Sequence, residues 1–383
     1  MTLRLHWFIP SHGDGRNIAR PAGGGTTTAA DVRRDPDIDY LAQVAMAADR
    51  LGFTGALVPS GLFCEDPWLV AAALSGQTTR LQFMVAFRPG LLSPLTAAQM
   101  ATTCQRLSGG RLLLNVVMGG DEDEQHRYGD WLGHDERYER AGEFLTVMRG
   151  AREQPPFDFE GKHYHVAAAT LTRPWPSAPP VFLGGSSDAA RATAARHADV
   201  YLAWGETPPQ ISRMFEQARE CAVRAGRSIQ LGTRFHVISR DTAELAWAEA
   251  DRILRGMDPV RVREAQRRFE RSQSEGQRRM ALLHNGASGQ SAASLEIYPN
   301  MWAGYSLVRP GAGVALVGSH EEVADRITEL HALGADHLIL SGQPHLEEAY
   351  TFGEGVLPLL RRAGLLDPPD RVDADVPLTI SAR

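Results

Sequence analysis

Short apolar runs alternate along the chain with longer amphipathic stretches, and that alternation predicts the fold. Eight segments rich in branched and aromatic residues read as strands: Leu3–Ile9, Gly55–Pro59, Leu81–Phe87, Arg111–Val117, Pro180–Leu183, Val200–Trp204, Leu231–Ile238 and His337–Leu340. Between them, apolar positions recur at helical spacing over Ile38–Leu51, Pro67–Leu74, Pro94–Leu107, Arg137–Arg149, Ala189–His197, Gln210–Ala225, Thr242–Leu254 and Glu321–Leu333. A last amphipathic segment covers Leu346–Arg362. Strands that are each trailed by a helix imply an α/β fold on a parallel sheet. Eight of them is the number that closes a (β/α)8 TIM barrel. An open, doubly wound sheet is the competing arrangement.

Two connections are too long for a bare barrel: 118–179 after the fourth strand and 255–320 after the seventh. Structureless loops of that length are uncommon in compact domains, so each is expected to carry helices or hairpins. Placed after the C-terminal ends of strands, both would build and cover the barrel mouth. The chain therefore reads as one domain over 1–366 with insertions, then a Pro- and Asp-rich tail over 367–383 that is expected to be poorly ordered. Pro21–Ala30, rich in Gly and Thr, and Gly286–Ser294, small and polar, read as exposed loops.

Composition narrows the function. The 383 residues are 43% hydrophobic and 22% charged, enough for a large core. Net charge is −6, and no basic run carries interleaved aromatics, so a nucleic-acid partner is not expected. The arginines of 261–279 alternate with Glu264, Glu270 and Glu275, as on a solvated helix face. Apolar stretches reach about ten residues, short of the ~20 that cross a bilayer. The N-terminus lacks the apolar core and cleavage site of a signal peptide. The three cysteines, Cys64, Cys104 and Cys221, are far apart and fit neither a disulfide framework nor a zinc site. A reducing cytoplasm is the expected location.

Candidate chemistry gathers at strand ends. Arg234 and His236 stand two apart on the seventh strand and share a face. A cation and an imidazole inside a barrel mouth are costly unless an anion or acid compensates. The compensating group is either a ligand or a carboxylate such as Glu206 beyond the sixth strand. Arg309 lies in a Gly-bearing segment that reads either as a loop closing on ligand or as ordinary surface. Trp204 and Cys64 fall just at or past strand ends, to line a pocket or to pack in the core. Gly185, Ser186 and Ser187 open a helix after the fifth strand, where free N–H groups and hydroxyls suit a phosphate monoester. Around them, Tyr138 can place a hydroxyl on that phosphate. Asn115 can donate to a heterocycle carbonyl or satisfy backbone. His134 heads a helix that Asp135 is expected to cap. No histidine cluster has metal-site spacing.

Taken together, several motifs are similar to the flavin-dependent alkanesulfonate monooxygenases of the bacterial luciferase-like superfamily. They are Trp-Phe-Ile-Pro-Ser-His-Gly-Asp-Gly (7–15), Cys-Glu-Asp-x-Trp-Leu-Val (64–70), Gly-Gly-Ser-Ser-Asp (184–188), Arg-x-His-Val-Ile (234–238), Arg-Met-Ala-Leu-Leu-His-Asn-Gly (279–286), Leu-Val-Arg-x-Gly-Ala-Gly (307–313) and Pro-His-Leu-Glu-Glu-Ala-Tyr (344–350). The resemblance implies a barrel enzyme that takes reduced FMN (FMNH2) from a separate NAD(P)H-dependent reductase. With O2 it would cleave an organosulfonate to an aldehyde and sulfite, as a homodimer or homotetramer. It further implies that Arg234, Arg309 and His236 surround the sulfonate, with Trp204 and Cys64 lining the site. Gly185, Ser186, Ser187 and Tyr138 would hold the FMN phosphate. One departure is Gln343, where the family has a tyrosine; Gln exchanges hydrogen bonds but is no acid. That departure points to a polar contact only, or to a different sulfonate such as the sugar sulfonate sulfoquinovose. A deazaflavin-dependent oxidoreductase and a non-catalytic flavin or anion carrier are the competing readings.

Overall fold

The computed structural model describes residues 2–16, 34–283 and 291–367. Its centre is a ring of parallel strands: β1 (Arg4–Phe8), β2 (Gly55–Val58), β3 (Gln82–Phe87), β4 (Leu112–Val116), β5 (Val181–Gly184), β6 (Val200–Trp204), β7 (Gln230–Arg240) and β8 (His337–Ser341). Neighbours pair in sequence order, and β8 closes the ring between β7 and β1, with His337 opposite both Gly232 and Arg4. The closed barrel, rather than the open sheet, is the fold.

Side chains alternate across each strand. One set, Phe8, Leu57, Met84, Leu113, Phe182, Leu202 and Ile339, packs inside the barrel as its own buried cluster. The opposite set packs outward against the surrounding helices in the main core. Burying each large apolar side chain contributes roughly 1.5–3 kcal/mol. At the N-terminal end of the barrel, His6 and His337 stack with centroids 5.3 Å apart, and Nε2 of the first meets Nδ1 of the second at 2.9 Å. Burial, then the charge of Arg4, pushes the His337 ring down to about 3.

Alternation also settles what faces the other end. Asn115, Gly184, Trp204, Arg234, His236 and Ser341 continue the inward rows at the C-terminal ends of their strands. Over them lie the long connections. Between β4 and β5 are the helices Glu122–Arg127 and His134–Glu153 and the hairpin Phe157–Glu160/His165–Ala169. Between β7 and β8 are four longer helices, Ala243–Arg255, Pro259–Glu270, Glu275–Leu283 and His320–Ala332, and a small antiparallel ribbon. A strand there, Ala315–Ser319, runs parallel to the C-terminal half of β7, with Ala315 opposite His236. The loop expected at Pro21–Ala30, Gly286–Gln290 and the tail from residue 368 fall outside the described residues.

Candidate active site

Arg234 and Arg309, 75 positions apart in sequence, come close enough at the barrel mouth for the charge of Arg309 to bear on Arg234. Burial is the main cause of Arg234's depression to about 9, and the charge of Arg309 adds to it. Burial likewise lowers Arg309. Neither guanidinium has a carboxylate partner among the described residues. The Arg234 guanidinium lies over the Phe8 ring at 4.5 Å, and its Nε is enclosed without a hydrogen-bond acceptor. Glu206, the carboxylate that could have neutralised it, is bound elsewhere: Arg279 donates to both its oxygens at 2.9 and 2.7 Å. Two half-buried like charges without an ion-paired carboxylate, Asp14 acting on Arg309 only from a distance, suit an anion.

His236 is fully buried beneath the same mouth. Its Nε2 meets the Ala312 carbonyl at 3.1 Å, and its Nδ1 meets the Ser341 hydroxyl at 2.9 Å. The carbonyl can only accept, so Nε2 carries the hydrogen and Nδ1 accepts from Ser341. Burial, then the charges of Arg309 and Arg234, keeps the ring neutral. Both nitrogens are thus committed to protein, and the ring tethers the Leu307–Gly313 segment that carries Arg309. That segment is held a second time, by Gln277 Oε1 accepting from the Gly311 N–H at 2.9 Å.

Cys64 lies near enough to both arginines to perturb them, which brings the loop after β2 to the same place. Burial raises its thiol, so it sits there as a neutral group rather than a nucleophile. Gln343 is buried just past β8, its Oε1 unpartnered. Trp204, at the end of β6, is roofed by the Glu275–Leu283 helix: a Cβ on Gly276 would stand 2.9 Å from its ring.

A second cluster forms after β5. Gly185 has φ +146°, and a Cβ there would meet the Tyr138 hydroxyl at 2.5 Å and Ala190 at 2.6 Å. Only glycine lets the backbone pass this close. Ser187 caps the Asp188–His197 helix by accepting from the Ala190 N–H. Burial pushes Tyr138 up to about 12, so it remains a phenol able to donate. A cleft of about 480 Å³ opens here, with His134 and Ser187 in its wall. His134 pairs with Asp135 at 2.6 Å, while the helix start is closed by Glu136, which accepts from the Gly133 N–H at 3.2 Å. Asp135 is therefore not the cap that the sequence suggested, because its carboxylate is turned to the imidazole. Asn115 is buried on β4 between Ala86 and Phe182 of the neighbouring strands.

Comparison with known proteins fits this architecture. The family of luciferase-like monooxygenases matches residues 3–337. The chain belongs to that family. Among solved structures, riboflavin lyase RcaE, crystallised with modified FMN and riboflavin, is 22% identical over 96% of this chain and 94% of its own, with a TM-score of 0.78. DmoA from Hyphomicrobium sulfonivorans is 21% identical over 96% and 89% of the two chains, with a TM-score of 0.75. EDTA monooxygenase EmoA from Chelativorans sp. BNC1 is 22% identical over 97% and 96%, with a TM-score of 0.72.

This luciferase-like barrel also holds polar groups that sequence reasoning did not nominate. Asp14, after β1, and His345, after β8, are buried and joined: His345 Nδ1 meets Asp14 Oδ1 at 3.0 Å, and the His345 backbone N–H donates to Oδ2 at 2.6 Å. Arg88, past β3, donates to Glu124 at 2.6 Å and pins the Glu122–Arg127 helix to the mouth. The available signal was position alone, since each follows the C-terminal end of a barrel strand. No helix among the described residues is long and apolar enough to cross a membrane. No group of three or more His, Cys, Asp or Glu among them could hold a metal.

Proposed function

We propose that this chain is a two-component monooxygenase that uses reduced FMN and O2 to cleave the C–S bond of an organosulfonate, releasing an aldehyde and sulfite. The observation that carries the reading is the pair Arg234 and Arg309, in which the charge of Arg309 depresses Arg234 and neither guanidinium is ion-paired to a carboxylate among the described residues. A sulfonate is a permanent monoanion with three acceptor oxygens. Guanidinium stays charged and offers a planar fork to such oxoanions. In a half-buried site, the attraction is stronger than in water.

The residues after β5 fit the flavin phosphate. Gly185, Ser186 and Ser187 would receive it at the start of the Asp188–His197 helix, with the Tyr138 hydroxyl as a further donor. Asn115 faces the mouth and would hydrogen-bond the ring system, with His134 at the rim. Bound, reduced FMN supplies the electrons that activate O2; the protein's share is to bind, orient and exclude water. In that division Arg234 and Arg309 hold the sulfonate, and His236 keeps the Arg309 segment in place. Trp204 and Cys64 wall the pocket, and Gln343 offers a polar contact. A separate NAD(P)H-dependent FMN reductase and a homodimeric or homotetrameric assembly complete the proposal. The test supplies enzymatically reduced FMN and O2 with a panel of alkyl and sugar sulfonates, and measures sulfite. Sulfite from at least one member is expected. None from any, together with tight binding of a reduced deazaflavin, would replace this reading with an F420-type oxidoreductase.

A further inference from the structure

His236 has no nitrogen to spare, so any proton chemistry at this mouth needs another group. We propose that the Asp14–His345 couple is the acid–base device of this site, His345 Nε2 acting on bound ligand and Asp14 positioning the ring. Resting on the sulfonate reading above, it adds the residue that holds a proton in place of the family tyrosine replaced by Gln343.

Three observations carry it. First, His345 is fully buried, and its Nε2 is without a hydrogen-bond partner. Its other nitrogen faces the Asp14 carboxylate at 3.0 Å, so Nδ1 carries the hydrogen and Nε2 presents its lone pair. Second, the His345 ring adjoins the anion site. The Phe8 ring contacts the Arg234 guanidinium at 4.5 Å and the His345 ring at 5.5 Å, and His345 bears electrostatically on His236. Third, the couple is braced outward. Tyr40 donates to Asp14, Arg34 Nη1 donates to the Tyr40 hydroxyl at 3.3 Å, and Arg34 also donates to Glu347 at 2.8 Å. Burial alone would raise the Asp14 carboxyl, but the His345 ring and the donors on it hold it far below the usual range. Asp14 therefore stays ionised beside the His345 ring.

The groups that set the charge around His345 come from several elements. Asp14 lies in the loop after β1, Tyr40 on the helix Ile38–Leu51, Arg234 and His236 on β7, and Arg309 on the segment over the mouth. An arriving sulfonate would bring negative charge to the mouth, and negative charge beside an imidazole favours its protonated form. In the step it serves, one C–H or O–H bond of the ligand breaks and an Nε2–H bond forms. The electron pair stays on the ligand, and the Nδ1 hydrogen stays on the His345 ring, donated to Asp14.

The test has two arms. In wild-type protein without flavin, 15N-histidine NMR at pH 7 is expected to show His345 protonated at Nδ1 only. Methanesulfonate should move Nε2 toward the protonated position. No movement on saturation with the anion overturns the proposal, whatever the turnover assay shows. In the second arm, His345→Gln and His345→Asn should bind sulfonate within threefold of wild type yet release sulfite about 100-fold more slowly or worse, the usual scale for losing a general base. Asp14→Asn should keep binding, scramble the tautomer and shift the pH–rate profile. Histidine variants that turn over within fivefold of wild type with an unchanged pH profile overturn it. If wild type releases no sulfite from any sulfonate, the substrate reading fails while the NMR arm still decides the couple.

Discussion

Replacing Arg234 by Met should stabilise the free protein while destroying its anion site. Met keeps the aliphatic stem but removes a charge that folding has stranded. The folded guanidinium falls from 12.5 to about 9. Its folded value lies below its unfolded one, so at pH 7, below both, the charged form is held against its preference. At about 1.4 kcal/mol for each tenfold change, the penalty would reach about 5 kcal/mol. Partial exposure to the mouth and the cation–π contact with Phe8 reduce it, and a net 1–3 kcal/mol is the working figure. For a chain of this length that corresponds to a rise in Tm of roughly 2–4 °C. Loss of a bidentate, charge-assisted contact should weaken sulfonate binding by about 100-fold. Scanning calorimetry with and without methanesulfonate measures both: the anion should raise the wild-type Tm and leave that of Arg234→Met unmoved. A variant that melts lower than wild type and still responds to the anion would refute the reasoning.

Other consequences are equally direct. Gly185→Ala places a methyl 2.5 Å from the Tyr138 hydroxyl at φ +146°, and should weaken FMN at least 10-fold by fluorescence titration while sulfonate affinity changes little. His337 is neutral in the fold and titrates near 6.5 when unfolded, so its contribution is present above pH 6.5 and lost as pH falls toward about 3. Urea unfolding at pH 7 and pH 4.5 should differ by roughly 2 kcal/mol on this account, and His337→Gln should shrink the difference. Gln277→Ala removes the acceptor of the Gly311 N–H. Hydrogen exchange across 308–312 should accelerate, and KM for sulfonate should rise about 3- to 10-fold.

The eight barrel strands were legible because each is a short apolar run bounded by helical periodicity, and both periods are strong in this chain. The last two residues of β7 were not. Ser239 and Arg240 are polar because they lie beyond the apolar core, where they pair with Gly318 and Ser319 and where Arg240 meets Glu348 at 2.6 Å. The strand Ala315–Ser319 was missed for a related reason: its outer end is Gly-Ser, which reads as a turn. Arg234 and Arg309 could be nominated from strand-end position and flanking glycines. Asp14 and His345 lie inside the motifs 7–15 and 344–350, yet nothing local marks either as functional, because each is one polar residue in a loop, and their contact exists only once β8 closes against β1. Glu206 shows the converse. It stands two residues past β6, close to Arg234 by topology, but the Glu275–Leu283 helix brings Arg279 to it instead. Nothing in local sequence reports that choice.

Two guanidiniums from distant segments are proposed to grip one oxoanion. A crystal structure of the protein with FMN and an alkanesulfonate tests this most directly. It should place sulfonate oxygens within hydrogen-bond reach of both Arg234 and Arg309. A sulfonate seated elsewhere, with both arginines turned to carboxylates of the protein, would contradict it.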